Sequence, residues 1–327
     1  MTQLFDTYHR NINYMRISIT DRCNMRCIYC NSHLAPHLNH DEILRYKEIQ
    51  KIVKAAARLG VKNLRITGGE PLVRPDVGAL IELLYLIEGI NDISLTTNGV
   101  FLKKYLDELM EAGLNRVNIS LDSFNPDKFK YITGGGNLDD VLKGIDSAIE
   151  AGLDPVKINM VPIMGINDDE IIEFAKKSIT HGWNVRYIEY MPFADSSEDK
   201  KKMIAIDDIK NMIVNSLGNL EPCGVASGNG PAKYYTLDNS KGTIGFIGAM
   251  SHNFCSECNR FRLTADGRLM PCLLRDDEID IKGPLRAGAS LEELEEVIKK
   301  AVAMKQEKHP ESDEMDLKKR QMWQIGG

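Results

Sequence analysis

From residue 14 to about 217 the chain repeats one pattern. A short run with alternating polar and apolar side chains is followed by a longer stretch of helical periodicity. The alternating runs predict strands at 14–20, 63–67, 92–97, 116–121, 156–161 and 185–190. After the first of them, Ile49, Ile52, Val53 and Ala56 fall at the i, i+3, i+4, i+7 spacing of one buried helix face. Asp41 is the candidate cap of that helix and Gly60 its candidate stop. Strand–helix alternation implies crossover connections and a parallel sheet, the α/β class.

Parity within the strands is more informative. Arg16, Ser18 and Thr20 share one side of the first run and Ile17 and Ile19 the other; Asn63, Arg65 and Thr67 oppose Leu64 and Ile66. Ser94 and Thr96 oppose Ile93 and Leu95, Asn118 and Ser120 oppose Val117 and Ile119, and Lys157 and Asn159 oppose Ile158 and Met160. A parallel sheet covered by helices on both faces is apolar on both, whereas these strands are apolar on one. The pattern predicts a curved, partly open barrel with helices outside. Its polar lumen would bear Arg16, Arg65, Lys157 and, from a mixed sixth strand, Arg186. A closed eight-stranded barrel fills its interior with branched apolar side chains, so this interior suits a polar ligand. The alternative is that these residues sit in solvent at strand ends.

Residues 1–217 therefore read as the barrel and 218–327 as a second, β-rich domain. In the latter, runs 232–238, 243–250, 260–265 and 268–274 predict short antiparallel strands, with Asp266-Gly267 as a hairpin turn. A helix at about 290–307 and a tail ending Ile325-Gly326-Gly327 follow.

The net charge of −6 argues against a general nucleic-acid binder, so a phosphate-bearing ligand would need a local cluster of cations. No apolar run approaches the roughly 18–20 residues of a membrane span, and the first residues lack the features of a signal peptide. The expectation is a cytoplasmic protein. Its seven cysteines then point to metal or catalysis rather than disulfides.

Six of the cysteines fall in two groups, and Cys223 stands apart as a candidate small buried hydrophobe. Cys23-x3-Cys27-x2-Cys30 follows the first strand, at the strand end where barrel active sites form. Three thiolates suit an iron–sulfur cluster and leave one iron without a protein ligand; a zinc knuckle completed by His33 or His37 is the other reading. With Tyr29 before the last cysteine, and Gly68-Gly69-Glu70-Pro71 ending the second strand, the segment resembles the radical S-adenosylmethionine superfamily. Glycines there allow close approach of a ligand to the backbone. Gly134-Gly135-Gly136 reads as a flexible loop. Cys255-x2-Cys258-x13-Cys272 offers three more thiolates, which zinc could also use with His252 or Cys223. Asn259-Arg260-Phe261-Arg262 sets two guanidiniums on one side of a strand beside them, suited to a phosphate or a base edge, or else merely solvated.

From about residue 6 to the last glycine the chain resembles the GTP 3′,8-cyclase family of molybdenum cofactor biosynthesis. The resemblance is carried by Arg16-Ile-Ser-Ile-Thr-Asp-Arg-Cys23, Arg65-Ile-Thr-Gly-Gly-Glu-Pro71, Leu95-Thr-Thr-Asn-Gly99 and Val117-Asn-Ile-Ser-Leu-Asp122. Arg186-Tyr-Ile-Glu-Tyr-Met191, Phe254-Cys-Ser-Glu-Cys-Asn-Arg-Phe-Arg-Leu263 and the closing Gly-Gly extend it.

The resemblance implies a partial (β/α)6 TIM-like barrel of the radical SAM type with a C-terminal β-rich auxiliary-cluster domain. It implies [4Fe-4S] clusters on Cys23, Cys27 and Cys30 and on Cys255, Cys258 and Cys272, the second binding guanine at an open iron. S-adenosylmethionine would meet Tyr29, Gly69, Ser120 and Met191. GTP would meet Arg16, Arg65, Thr96, Lys157, Arg260, Phe261 and Arg262, and Arg186, Gly326 and Gly327 would serve catalysis. In the family a radical takes the ribose 3′ hydrogen, and the 3′ carbon joins guanine C8. Reduction with protonation then gives 3′,8-cyclo-7,8-dihydro-GTP. The partners implied are an electron donor and a downstream cyclic pyranopterin monophosphate synthase, with no nucleic acid or membrane, for a monomer or homodimer. Asn63 departs from a position that is often basic in the family.

Overall fold

The six alternating runs form strands because each can bury its apolar side under a helix while its polar side faces inward. In the computed structural model, which describes residues 3–30, 37–191, 201–223, 230–309 and 320–326, they are β1 (Tyr14–Ser18), β2 (Asn63–Thr67), β3 (Asp92–Thr97), β4 (Arg116–Ser120), β5 (Val156–Met160) and β6 (Asn184–Ile188). Each pairs in parallel with the next in chain order, the arrangement of a (β/α)6 partial barrel. The apolar sides carry Ile17, Leu64, Ile66, Leu95, Val117, Ile119 and Ile158, all without solvent exposure. They meet Ile52, Leu80, Ile145 and Phe174 from the helices.

The helix predicted after β1 spans Tyr46–Arg58 and buries Ile49, Ile52, Val53 and Ala56. Its cap is not Asp41. The helix starts after Arg45, whose backbone N–H donates to the Glu48 carboxylate at 2.7 Å. Asp41 instead offers its carbonyl to Arg286, which ties the preceding turn to the C-terminal region. Gly60, at φ 99°, follows the helix end as expected.

The four C-terminal runs predict antiparallel strands, but not all of the C-terminal strands are antiparallel. They are β7 (Glu221–Pro222), β8 (Lys233–Thr236), β9 (Ile244–Ile247), β10 (Arg260–Leu263), β11 (Arg268–Met270) and β12 (Ile279–Asp280). All join the barrel strands in one sheet, in the order β12-β11-β10-β1-β2-β3-β4-β5-β6-β9-β8-β7. β10 lies parallel to β1 and β9 parallel to β6; antiparallel pairing begins only beyond them. The reason is the open edge. A six-stranded parallel sheet leaves unpaired N–H and C=O groups on both outer strands, and this region covers both. The turn through Gly267, at φ 81°, joins β10 to β11 as Asp266-Gly267 predicts. Among the described residues no helix is long and apolar enough to cross a membrane.

Candidate active site

One cavity at the C-terminal ends of the strands is bordered by all six grouped cysteines. The first group leaves β1 in a loop held from two directions. Gly69 N–H donates to the Thr20 carbonyl and Glu70 N–H to the Arg22 carbonyl, both at 2.8 Å. A Cβ on Gly68 would lie 2.5 Å from the Thr20 oxygen, and one on Gly69 2.5 Å from the Arg22 oxygen. The close approach these glycines permit is thus to the cysteine loop's own backbone, although Gly69 also borders the cavity. Glu70 is fully enclosed, accepts from Leu72 N–H, Thr97 Oγ1 and Asn98 N–H, and is pushed up to about 7 by burial.

The second hold is the glycine run read as a flexible loop, and that reading is corrected. Gly134 caps the helix Pro126–Thr133 in the left-handed region, with the Arg26 carbonyl 2.7 Å from where a Cβ would stand. Arg26 N–H and Ile28 N–H donate to the Thr133 and Ile132 carbonyls. A side chain at Gly134 would displace the cysteine loop. The three thiols are free, and burial pushes Cys23 to about 11 and Cys30 to about 12. Cys27 is held well above the ordinary thiol range, by burial and then by the Asp122 carboxylate. Such a set gives up its protons to a cationic metal group.

Of the lumen residues predicted by parity, Arg65, Lys157 and Arg186 are buried rather than solvated at strand ends, at 6%, 2% and 3% exposed, and Arg16 is half-buried; Arg262 on β10 joins them at 7%. Register makes Arg262, Arg16 and Arg65 lateral neighbours across β10, β1 and β2, one strand spacing of ≈ 4.8 Å apart. Like charges so placed repel. Burial, then Arg262 and Arg65, hold Arg16 well below the ordinary arginine range, and burial with Arg260 brings Arg262 to about 10. Lys157 falls to about 6 through burial and the nearby Arg186, Arg116 and Arg65. Arg186 is held by Asn159 Oδ1 at 2.8 Å and Asn118 Oδ1 at 2.6 Å. Gly245, opposite it on β9, leaves its side chain room. This is a concentrated positive field inside a net acidic chain, and it suits a polyanion.

Beside the second cysteine group the balance differs. Burial raises the Cys258 thiol, but Arg260 and Lys305 outweigh it and bring it down to about 6. Phe261 alternates with its arginine neighbours and joins the hydrophobic core with Met15, its partner in register. By that alternation it is the Phe261 backbone that borders the cavity. The C-terminal tail enters from this side. Arg320 bridges Asp266 and Glu278, Trp323 and Ile325 are buried, and Arg262 donates to the Gly326 carbonyl. A Cβ on Gly326 would meet Thr67 Cγ2 at 2.5 Å, so only glycine passes there. Gly327 lies outside the described residues.

Tyr29, Ser120, Met191, Arg16, Arg65, Thr96, Arg186 and Arg260 all border the same cavity. Lys157 is buried behind its wall, with its ammonium 5.5 Å from the Tyr234 ring centre. Tyr29 donates to Asp122 Oδ2 at 2.7 Å, and burial lifts that carboxyl to about 6. Asn63 sits at the start of β2, donates to the Asn13 carbonyl and does not border the cavity. Sequence reasoning missed Glu189. This residue is 1% exposed, braces Met250 N–H and Ser251 N–H through Oε2, and leaves Oε1 buried beside the cavity without a hydrogen-bond partner. An acid two residues before Met191 was the available signal.

Two of the candidate fourth zinc ligands have other partners. His37 pairs with Asp21 at 3.5 Å and packs edge-on against Trp323; His252 pairs with Asp207 at 3.0 Å. His33 lies outside the described residues. Cys223 donates its backbone N–H to the Tyr234 carbonyl at the sheet edge and is only half-buried, not a core residue. Among the described residues no His, Cys, Asp or Glu side chains converge as the ligand set of a single ion. Three thiols bordering one cavity have the chemistry of an iron–sulfur ligand set.

Comparison with known proteins shows the family of the chain. Residues 17–177 match the family model "Radical SAM superfamily" and residues 183–311 match "Molybdenum Cofactor Synthesis C". The GTP 3′,8-cyclase of Thermodesulfovibrio yellowstonii is 51% identical over 92% of this chain and 94% of its own length. That of Pelotomaculum thermopropionicum is 48% identical over 98% and 99%. Among solved structures, Streptococcus suis SuiB bound to S-adenosylmethionine aligns with a TM-score of 0.65 over 94% of this chain and 75% of that one. Its 14% identity shows a shared fold. On full-length identity and both family matches, the chain belongs to the GTP 3′,8-cyclase family of the radical S-adenosylmethionine superfamily.

Proposed function

We propose that this chain is a GTP 3′,8-cyclase, joining the ribose 3′ carbon of GTP to C8 of its guanine in the first step of molybdenum cofactor biosynthesis. The observation that carries the reading is the cation row Arg262, Arg16 and Arg65, bordering the same cavity as the two cysteine groups. Cys23, Cys27 and Cys30 would hold one four-iron cluster and Cys255, Cys258 and Cys272 the other. When bound, these clusters and S-adenosylmethionine supply the radical chemistry.

The chain's own residues have the task of holding one substrate at two ends. Arg16, Arg65 and Lys157 would take the triphosphate, whose charge relieves their mutual repulsion. Thr96 Oγ1, buried without a partner, offers a further hydrogen bond. Arg260 and Arg262 would orient the base beside the second cysteine group, and Tyr29, Gly69, Ser120 and Met191 form the wall for S-adenosylmethionine. Arg186, fixed by Asn118 and Asn159, presents a preset guanidinium to the lumen. Clamping base and phosphates together removes the freedom that would otherwise keep the 3′ carbon from C8. Met322 and Trp323 of the tail border the same space, and the Gly326 end, held by Arg262, would help exclude water from it. A one-electron donor and a downstream cyclic pyranopterin monophosphate synthase would be the chain's partners.

A second reading, a peptide-modifying radical enzyme, has the fold likeness to SuiB, a structure of which is described as bound to precursor peptide SuiA. A neutral peptide would leave the arginine row uncompensated. The deciding experiment is anaerobic incubation with GTP, S-adenosylmethionine and a chemical reductant, followed by mass analysis. The expected products are 5′-deoxyadenosine, methionine and the cyclised triphosphate; cofactor cleavage with all GTP recovered unchanged would refute the assignment.

A further inference from the structure

Lys305 lies just beyond the helix Leu291–Ala303 and is 3% exposed. Its Nζ donates to the Arg260 carbonyl at 3.0 Å and the Pro271 carbonyl at 2.7 Å. Those carbonyls stand two residues after Cys258 and one before Cys272, so one buried cation fastens both cysteine-bearing segments. Arg10 does the same for the remaining cysteine, donating to the Cys255 carbonyl at 2.7 Å, but its charge is offset by Asp6 at 2.5 Å. Among the described residues no carboxylate pairs with Lys305. The first cysteine group is the reverse: the buried acids beside it are Asp122 and Glu70, and Arg26, the arginine that acts on Cys23, is exposed. Lys305 has no part in the substrate contacts above.

We propose that Lys305 is a positioning residue of the second cysteine site, clamping its backbone and raising the reduction potential of the cluster held there. A cluster that accepts one electron from an external low-potential donor gains one negative charge, while the donor is oxidised. A fixed cation in a poorly solvated site stabilises the reduced form, and local charge is one of the determinants of cluster potential. The two sites would then differ by design. The acid-flanked first cluster keeps a low potential, and the cation-flanked second is easier to reduce.

The inference rests on the second group holding a cluster. That premise is tested separately by the wild-type iron content, about eight per chain for two four-iron clusters and about four for one. Reconstituted full-length enzyme is titrated with dithionite under electron paramagnetic resonance. A Cys23, Cys27 and Cys30→Ala chain identifies the second signal. Lys305→Gln keeps two N–H donors and removes the charge, and Lys305→Arg keeps the charge. In Lys305→Gln the second midpoint should fall by at least the tenfold change in one-electron equilibrium that equals about 59 mV. The first midpoint should not move, and Lys305→Arg should stay near wild type. An unmoved second midpoint in Lys305→Gln, or an equal fall in Lys305→Arg, overturns the proposal. Should Lys305→Gln fail to retain the second cluster, retention in Lys305→Arg supports the charge role and loss in both overturns it.

Discussion

Lys157 gives the cation-lined lumen its sharpest test. The residue is 2% exposed and its ordinary pKa is driven down to about 6, first by burial and then by Arg186, Arg116 and Arg65. At about pH 8 the free enzyme therefore carries a neutral Lys157 in roughly ninety-nine molecules of a hundred, two units being a factor of about 100. A bound triphosphate reverses the local field and returns the amine toward its ordinary value of ≈ 10.4. Binding GTP should then take up close to one proton. The ligand favours the protonated form, so affinity falls as pH rises, approaching about tenfold per unit above about pH 7. Working above about pH 7.5 keeps the terminal phosphate, with its second pKa of ≈ 6, fully ionised. The assay is calorimetric titration of GTP into cluster-loaded enzyme without S-adenosylmethionine, in two buffers of different ionisation enthalpy. Lys157→Met should abolish the uptake. No uptake by the wild type, or the same uptake in Lys157→Met, would refute the argument. Without ligand, the unfolded chain binds this proton between about pH 6 and 10 while the folded chain does not, so Lys157 makes stability rise with pH across that window. Thermal melts of Lys157→Met should show a flatter dependence.

Replacing Cys23, Cys27 and Cys30 together with Ala should abolish 5′-deoxyadenosine formation and leave about half the iron; loss of all iron would mean one shared cluster. Gly69→Ala sets a Cβ 2.5 Å from the Arg22 carbonyl, so iron analysis should find the first site underloaded and the second intact. Arg65→Ala should weaken GTP binding by about 1.5–3 kcal/mol, the range for charge-assisted hydrogen bonds, at unchanged iron content. Removing Gly326 and Gly327 should leave both clusters and GTP binding nearly intact. The assay should then show cofactor cleavage uncoupled from cyclised product; full product yield would reduce the tail to ordinary terminal fraying.

The sequence alone determined whatever depends on near neighbours in the chain. Strand parity is a period of two, so Arg16, Arg65, Lys157 and their apolar opposites could be assigned to lumen and core without any knowledge of contacts. Three cysteines within eight residues likewise announce their chemistry locally. The tertiary structure decided what joins distant segments. β9 and β10 take the two open edges of the barrel because unpaired backbone groups must be satisfied somewhere, yet nothing in a four-residue run says which edge it will meet. Gly134 looked mobile because its reason for being glycine, the Arg26 backbone, lies more than a hundred residues earlier. Arg10 reaches the Cys255 carbonyl across 245 positions and Lys305 closes on Pro271 across 34. Single long-range contacts of this kind leave no periodic trace in a sequence, since one buried cation satisfying two carbonyls needs only to arrive at the right place once.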